Sequence, residues 1–231
     1  MDRLKLAIIQ PSYIPWKGYF EIIKDSDIFV FLDNVQYTVR DWRNKNFIKG
    51  PNGLIPLIVP VKGGRDQLIR DARIDNFWHW QYKHRESLIH SYSHAPYFKK
   101  YFFLVEEIYV NNKWEHLSEL DTFIIKKLAQ ILDLNTEFHY ASDIGIDDRK
   151  TQLIMSMCDH FNSEIYISGP RAQAYVEKDL LDKTGIEIIY KDYANYRKYP
   201  QLFGPFVHGV SILDTLFNCG EDTLRYILSS D

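Results

Sequence analysis

The stretch that most constrains this chain runs from Leu6 to Asn46, LAIIQPSYIPWKGYFEIIKDSDIFVFLDNVQYTVRDWRNKN. Ala7-Ile8-Ile9 is a short apolar run that ends in Gln10 and Pro11. Pro11 and Pro15 rule out an ordinary helix there and force an extended or turned path. Gly18 lets the backbone come close to another group, and Phe20, Ile22 and Ile23 give the next segment an apolar face. Ile28-Phe29-Val30-Phe31-Leu32 is an unbroken β-prone run, which fits a strand covered on both sheet faces. The pattern is strand, tight loop, helix, strand, polar loop. A βαβ unit of this kind places ligands outside the carboxyl ends of its strands. Both polar clusters, Gln10 to Lys17 and Asp33 to Asn46, fall at that end.

The same grammar returns late in the chain. Glu164 to Ser168 reads as a strand, Ser168-Gly169-Pro170 as a sharp turn, Arg171 to Thr184 as a helix and Ile186 to Tyr190 as a strand. Right-handed crossovers lay these strands parallel beside the first pair. Between the two parts, Gly50-Pro51-Asn52-Gly53 signals a turn that makes a hairpin of Phe47-Ile48-Lys49 and Leu54 to Val59. Gln67-Leu68-Ile69 and Ala72-Arg73-Ile74 read as short strands, so 47–75 is an antiparallel insertion. A helical segment covers 78–133, with helices over Trp78 to Ser91, Ala95 to Tyr109 and Ser118 to Asp133, the last with apolar residues at helical spacing. Phe138-His139-Tyr140 reads as a short strand. Asp147-Asp148-Arg149 opens a helix through Phe161, with acidic residues at the positive end of its dipole. Tyr193 to Phe206 is loop-like, Ser211 to Phe217 an apolar helix, and Asp222 to Ser229 a closing amphipathic helix. The fold class that follows is α/β: one domain over 1–231, with a mainly parallel, Rossmann-like or nucleotidyltransferase-like sheet, helices on both faces and a helical C-terminal part.

Composition narrows the function classes. At 45% hydrophobic residues, a chain of 231 residues has a substantial core. A net charge of -3 argues against a broad nucleic-acid surface, though not against a local phosphate site. No apolar stretch is long enough to span a bilayer, and Met1 to Lys5 lead straight into a strand without a secretory signal, so the expected location is cytoplasmic. Cys158 and Cys219 form neither a disulfide framework nor a metal motif and read as buried free thiols. The eight histidines show no zinc-ligand spacing, and no metal site is expected.

Trp16-Lys17-Gly18-Tyr19 has the spacing of the phosphate-gripping His-x-Gly-His loop of adenylyl-transferring α/β enzymes, with both histidines replaced. Lys17 can hold a phosphate as a point charge, and Trp16 or Tyr19 can stack on a base or sugar. Without the histidines, nucleotidyl transfer loses its usual transition-state donors. Arg40 and Arg43 suit bidentate phosphate or carboxylate contacts, with Trp42 and Asn44 beside them. Ser168 and Gly169 end a strand before a helix, where backbone amides make an anion site. Gln10, Tyr13, Asp33 and Gln36 complete the expected cleft. His84 or Asp33 is the candidate base for deprotonating an amine.

These landmarks together resemble the WbqC-like family of bacterial polysaccharide-biosynthesis proteins. The resemblance rests on Ile9-Gln10-Pro11 with Tyr13, Pro15-Trp16-Lys17-Gly18-Tyr19-Phe20, Asp33-Asn34-Val35-Gln36-Tyr37 and Trp42-Arg43-Asn44-Lys45-Asn46. It continues in Ala95-Pro96-Tyr97-Phe98, Tyr166-Ile167-Ser168-Gly169-Pro170 and Ser211-Ile212-Leu213-Asp214 with Phe217-Asn218-Cys219-Gly220. It implies work in O-antigen or related glycan assembly. The reaction it suggests is attachment of an acyl or aminoacyl group, such as glycyl, to a dTDP- or UDP-linked amino sugar. The nucleotide would be that substrate or, in an ATP-dependent carboxylate-amine ligase, ATP. A non-catalytic sugar-nucleotide-binding protein is the remaining reading. The acyl donor stays open, and a homo-oligomer is compatible with the sequence.

Overall fold

The computed structural model describes residues 3–174 and 176–228. Five strands form one parallel sheet in the order β5-β2-β1-β6-β7. They are β1 (Lys5–Ile9), β2 (Ile28–Phe31), β5 (Glu137–Tyr140), β6 (Ile165–Ser168) and β7 (Glu187–Tyr190). A separate antiparallel hairpin joins β3 (Lys45–Gly50) and β4 (Gly53–Ile58). Gly53 sits at φ +118°, a conformation that needs a residue without Cβ.

Strand alternation divides the core in two. Ala7, Phe29, Phe31, Ile165 and Ile167 pack on one face in the larger core. It is shared with α1 (Lys17–Asp25), α4 (Leu117–Ile131) and α8 (Ile212–Cys219). Leu6, Ile8, Ile28, Val30 and Tyr166 face the other way, against Leu153, Ile154 and Met157 of α6 (Lys150–Phe161) and Leu181 of α7 (Lys178–Thr184). The strands are apolar on both sides because both sides are covered.

The register pairs Leu6 with Ile28 and Ala7 with Ile167, so β1 lies between β2 and β6. From β1 the chain winds outward through β2 to β5, then back through β6 to β7. The order reverses between β1 and β6, where such sheets open a crevice beyond their carboxyl ends.

Several expected elements are corrected. Gln67-Leu68-Ile69 and Ala72-Arg73-Ile74 form single bridges, Gln36 with Leu68 and Val61 with Ile74, around a 3-10 turn at Ile69–Asp71. Each is too short to carry a ladder. Phe138-His139-Tyr140 forms the expected strand as part of β5, which extends the main sheet beside β2. The helical segment holds α2 (Trp80–Tyr92), α3 (Phe98–Glu106) and α4, and a π turn at Glu107–Asn111 continues α3. Asp147 and Asp148 stay outside α6, and Asp148 instead accepts from the Ser156 hydroxyl at 2.6 Å. The helix expected over Arg171 to Thr184 divides into a 3-10 turn at Pro170–Ala174 and α7, with Tyr175 outside the described residues. The closing helix forms over Thr223–Ile227, and Ser229 likewise lies outside.

Cys158 and Cys219 are buried and unbonded, and burial pushes both thiols up to about 12. Among the described residues, no helix is long and apolar enough to cross a membrane.

Candidate functional site

Gln10 and Ser168 follow the ends of neighbouring parallel strands and so meet at one edge of the sheet. The loop after β1 is pinned there from three directions. Tyr13 N–H donates to the Trp42 carbonyl at 3.0 Å, and Ile212 N–H donates to the Pro15 carbonyl at 2.9 Å. The Asn46 amide donates to the carbonyls of Ile14 at 2.8 Å and Tyr13 at 3.3 Å. Ile14 is held at φ +35° within this loop. A β-branched residue rarely adopts that conformation, and such strain persists where the surroundings over-determine the backbone.

Arg43 leans over the crevice. Its Nη1 donates to the Gln10 side-chain oxygen, while its buried Nε has no hydrogen-bond partner among the described residues. Burial lowers the pKa of its guanidinium, the nearby Arg171 lowers it further, and Asp41, Tyr19 and Asp121 oppose the change. Arg171 follows Ser168-Gly169-Pro170 in the turn after β6 and is exposed. Arg43, bonded to Gln10, and Arg171 thus come from separate loops beside the β1 and β6 ends. Asp41 Oδ2 is 3.9 Å from Arg43 Nη2. Burial raises its pKa, but the Trp42 N–H at 2.7 Å, Arg43, the Thr38 hydroxyl and Arg171 together hold it below the usual carboxylate range. Tyr19 donates its hydroxyl to the Gln10 carbonyl at 3.2 Å and Ser12 does so at 3.5 Å, completing the floor.

Trp16 caps α1 and packs edge-on against Tyr193 and Tyr196, with ring centroids 4.8 and 5.7 Å away. The close approach that Gly18 permits is taken by this indole, because a Cβ at Gly18 would collide with the Trp16 ring. Gly169 serves a similar purpose, as a Cβ there would sit 3.0 Å from the Tyr193 hydroxyl. Lys17 is 2% exposed and turns to the 193–210 loop. Its Nζ lies 3.1 Å from His208 Nδ1, 3.5 Å from the Arg197 carbonyl and 4.5 Å from the Tyr196 ring centroid. Burial brings its pKa down to about 8, against the pull of Cys219 and Glu21. Lys17 and Arg43 thus turn to different partners.

The other sequence candidates are more dispersed. The Asp33 carboxylate accepts from the Ser142 N–H at 2.9 Å and the Ser142 hydroxyl at 2.7 Å, so it ties β2 to the short helix α5 (Ala141–Ile144). Gln36 donates to the Arg65 carbonyl at 3.1 Å. Arg40 is exposed at φ +58°. Trp42 is 41% exposed and packs edge-on against Phe47. Asn44 donates to the Val59 carbonyl at 2.9 Å, closing the loop onto the end of the hairpin.

His84 lies inside the core beneath the first loop. The Tyr13 hydroxyl is 2.8 Å from its Nδ1 and 2.6 Å from the Tyr109 hydroxyl. Burial lowers the ring's pKa to about 4, so it is neutral at pH 7. Tyr13 itself is fully buried, and burial raises its hydroxyl well above the phenol range.

The crevice therefore brings together Gln10, Tyr19, Arg43, Ser168 and Gly169, with Trp16 and Lys17 one step away under the C-terminal loop. Sequence reasoning passed over Arg171, Tyr193, His208 and Asp121. The argument that picked out Ser168 as a strand end extends directly to Arg171, three residues on. Nothing in the sequence marks Asp121, which resembles any polar residue of an amphipathic helix. Among the described residues, no group of three or more histidine, cysteine or acidic side chains could hold a metal ion.

Comparison with known proteins gives two matches. The WbqC-like protein family matches residues 10–226. Uncharacterized protein Rv1507c of Mycobacterium tuberculosis is 38% identical over 225 residues, which is 96% of this chain and 97% of that protein. No solved structure matches the chain.

Proposed function

The chain belongs to the WbqC-like protein family, and from that premise we propose that it is a transferase acting on a nucleotide-activated amino sugar. The sugar would be dTDP- or UDP-linked, and the reaction would attach an acyl or aminoacyl group, such as glycyl, to its amine during O-antigen or other surface polysaccharide assembly. The observation that carries this reading is the placement of two cations at the reversal point of a parallel sheet, Arg43 on the Gln10 side chain that follows β1 and Arg171 in the turn after β6. A diphosphate needs two such cations at close quarters, and this crevice is where such sheets bind nucleotides. Trp16 and Tyr193 beside Gly169 offer ring faces and edges to a base or hexose. Attack by the sugar nitrogen needs a base for its proton. His84 is neutral at pH 7 and linked to the loop through Tyr13, whereas Asp33 would have to exchange Ser142 for substrate.

Thermal unfolding in the presence of a dTDP-linked amino sugar or ATP tests the reading, because a ligand that binds only the native state raises the melting temperature. Protection by the sugar nucleotide but not by ATP is expected. Arg171→Ala, at an exposed position, should weaken sugar-nucleotide binding about tenfold or more, the equivalent of about 1.5 to 3 kcal/mol for one charge-assisted contact, with the unliganded melting temperature unchanged. Protection by ATP alone would favour an ATP-dependent carboxylate-amine ligase. Tight binding without turnover across acyl donors would favour a binding protein.

A further inference from the structure

The start of α2 and the π turn after α3 frame an open pocket of about 650 Å³, and none of its lining residues belongs to the crevice. Trp80 and Tyr109 form its buried floor, with ring centroids 6.1 Å apart and planes at 76°. Tyr82 lines it from α2 and is 66% exposed, and Val110 lines it from the π turn and is 56% exposed. Phe77 and Trp78 lie between Asn76 and His79, which also line the pocket. They are 78% and 55% exposed and pack edge-on against each other at 5.6 Å. Large apolar side chains left in water side by side, next to a concavity, mark a binding surface.

The walls are held in place by their own side chains. The Gln81 amide donates to the Ile108 carbonyl at 3.2 Å and the Asn112 carbonyl at 2.9 Å, across the π turn. Asn76 accepts the Trp80 indole N–H at 2.9 Å and donates its amide to the Trp114 carbonyl at 2.9 Å. His79, between Asn76 and Trp80, is held at φ +48°. π turns and strained backbone of this kind gather at functional sites. The polar groups that remain free are of two kinds. Glu106, half-buried, and Lys113, exposed, join no ion pair among the described residues. Arg85 donates through Nη1 to Glu86 at 2.6 Å, and its buried Nε has no hydrogen-bond partner among the described residues.

We propose that this pocket is a second site, which binds a neutral pyranose unit of a glycan. The free groups select that class. The Glu106 carboxylate only accepts, whereas Arg85 and Lys113 only donate. A sugar hydroxyl does both, so neighbouring hydroxyls of one ring satisfy the acceptor and the donors together. A phosphate or another anion would meet Glu106, and a cation would meet Arg85 and Lys113. An acyl chain would cover the rings and leave all three charges without partners. The C–H face of a pyranose suits the exposed Tyr82 ring and Val110, which lose apolar contact with water when it binds. The volume falls within the range of small-ligand sites, about 300 to 1,000 Å³, and Phe77 and Trp78 extend the surface for a further sugar. The site does not rest on the nucleotide reading of the crevice. The two are nonetheless in touch, because the Tyr109 hydroxyl in the pocket floor lies 2.6 Å from that of Tyr13 in the loop after β1.

Saturation-transfer NMR titrations on the full chain test this with four free methyl pyranosides: the glucoside, the galactoside, the N-acetylglucosaminide and the rhamnoside. None carries a nucleotide, so the crevice reading is not what is measured. At least one should bind. Tyr82→Ala, at an exposed position, should weaken it about fivefold or more with the melting temperature unchanged, and Tyr82→Phe, which keeps the ring, should bind like wild type. Glu106→Gln, which keeps the shape and loses the charge, should weaken it about threefold or more. Failure of all four to bind overturns the proposal and leaves the sugar-nucleotide reading standing. Binding that survives in both Tyr82→Ala and Glu106→Gln places the sugar elsewhere and overturns it too. A dimer that forms with rising concentration and is lost in Tyr82→Ala, with no pyranoside bound, makes the patch a contact between two copies and likewise overturns it. Pyranoside binding without protection by a dTDP-linked amino sugar upholds this site while removing the nucleotide reading.

Discussion

Two buried aspartates lie on two helices that pack on the same core, and they are treated in opposite ways. Asp214 of α8 is fully buried and saturated. It accepts from the hydroxyls of Tyr92 at 2.8 Å and Tyr199 at 2.6 Å and from the Gln201 amide at 2.8 Å. Lys49, whose ammonium binds the Gln201 side chain and the Pro205 carbonyl, adds charge nearby. Asp121 of α4 is equally buried, and its carboxylate has no hydrogen-bond partner among the described residues. Burial raises the pKa of both carboxyls. At Asp214 three hydrogen bonds and Lys49 work against that rise, whereas at Asp121 only the charge of Arg43 does so. One carboxylate staples the C-terminal loop to the hairpin and α2. The other accepts no hydrogen bond among the described residues and acts on Arg43 through charge, and a buried group of that kind calls for an explanation.

The comparison is broken most directly at Asp214. Asp214→Ala removes the acceptor from two buried hydroxyls and an amide, and should cost about 3 to 5 kcal/mol in urea unfolding. A loss below about 1 kcal/mol would mean that the network is not a staple.

His84 should give the next largest effect, visible in the pH dependence. Its pKa is about 4 in the folded chain and 6.5 when free, so between those values the unfolded chain binds more protons. Its contribution is therefore present above pH 6.5 and lost as the pH falls toward 4, on the order of 3 kcal/mol. A His84→Gln variant should lose that part of the acid limb, and an unchanged limb would place the titration elsewhere.

Asp121 should give the smallest effect, and of the opposite sign to Asp214. Its folded pKa lies above the free value of 3.8. The folded chain then holds a proton that the unfolded chain has released, and stability falls as the pH rises from 3.8 through the folded value. Asp121→Asn has no such term. It should be no less stable than wild type at pH 7, gain about 1 kcal/mol at higher pH, and show its advantage shrinking as the pH is lowered. Clear destabilisation at pH 8 would reveal a partner for Asp121 and remove the contrast.

Much of this architecture is written locally. Ile28 to Leu32 and Ile165 to Ile167 are unbroken apolar runs, which fit a sheet covered on both faces. Pro11, Pro15 and Gly53 act through their own φ preferences, so the first loop and the hairpin turn are legible without any neighbour. β5 was readable as a strand and not as a sheet member, because its partner β2 lies more than a hundred residues away. The segments 67–69 and 72–74 have strand-like residues, and each finds only isolated bridge partners.

The crevice was legible to the same extent. Gln10, Asp33 and Ser168 are strand-end residues, and parallel topology brings strand ends to one edge whatever their side chains do. Which groups then turn into that edge depends on packing. Lys17 goes to His208, Asp33 to Ser142 and the approach at Gly18 to Trp16, while Arg43 goes to Gln10. Local propensity, apolar period and backbone geometry are properties of neighbouring residues, so the sequence by itself determined the strands, most of the helices and the edge where a ligand would lie. Whether a charge is paired depends on residues brought from far along the chain. Only the tertiary structure could therefore decide that Asp214 is satisfied by Tyr92, Tyr199 and Gln201, and that Asp121 is fully buried with its carboxylate oxygens unpaired among the described residues.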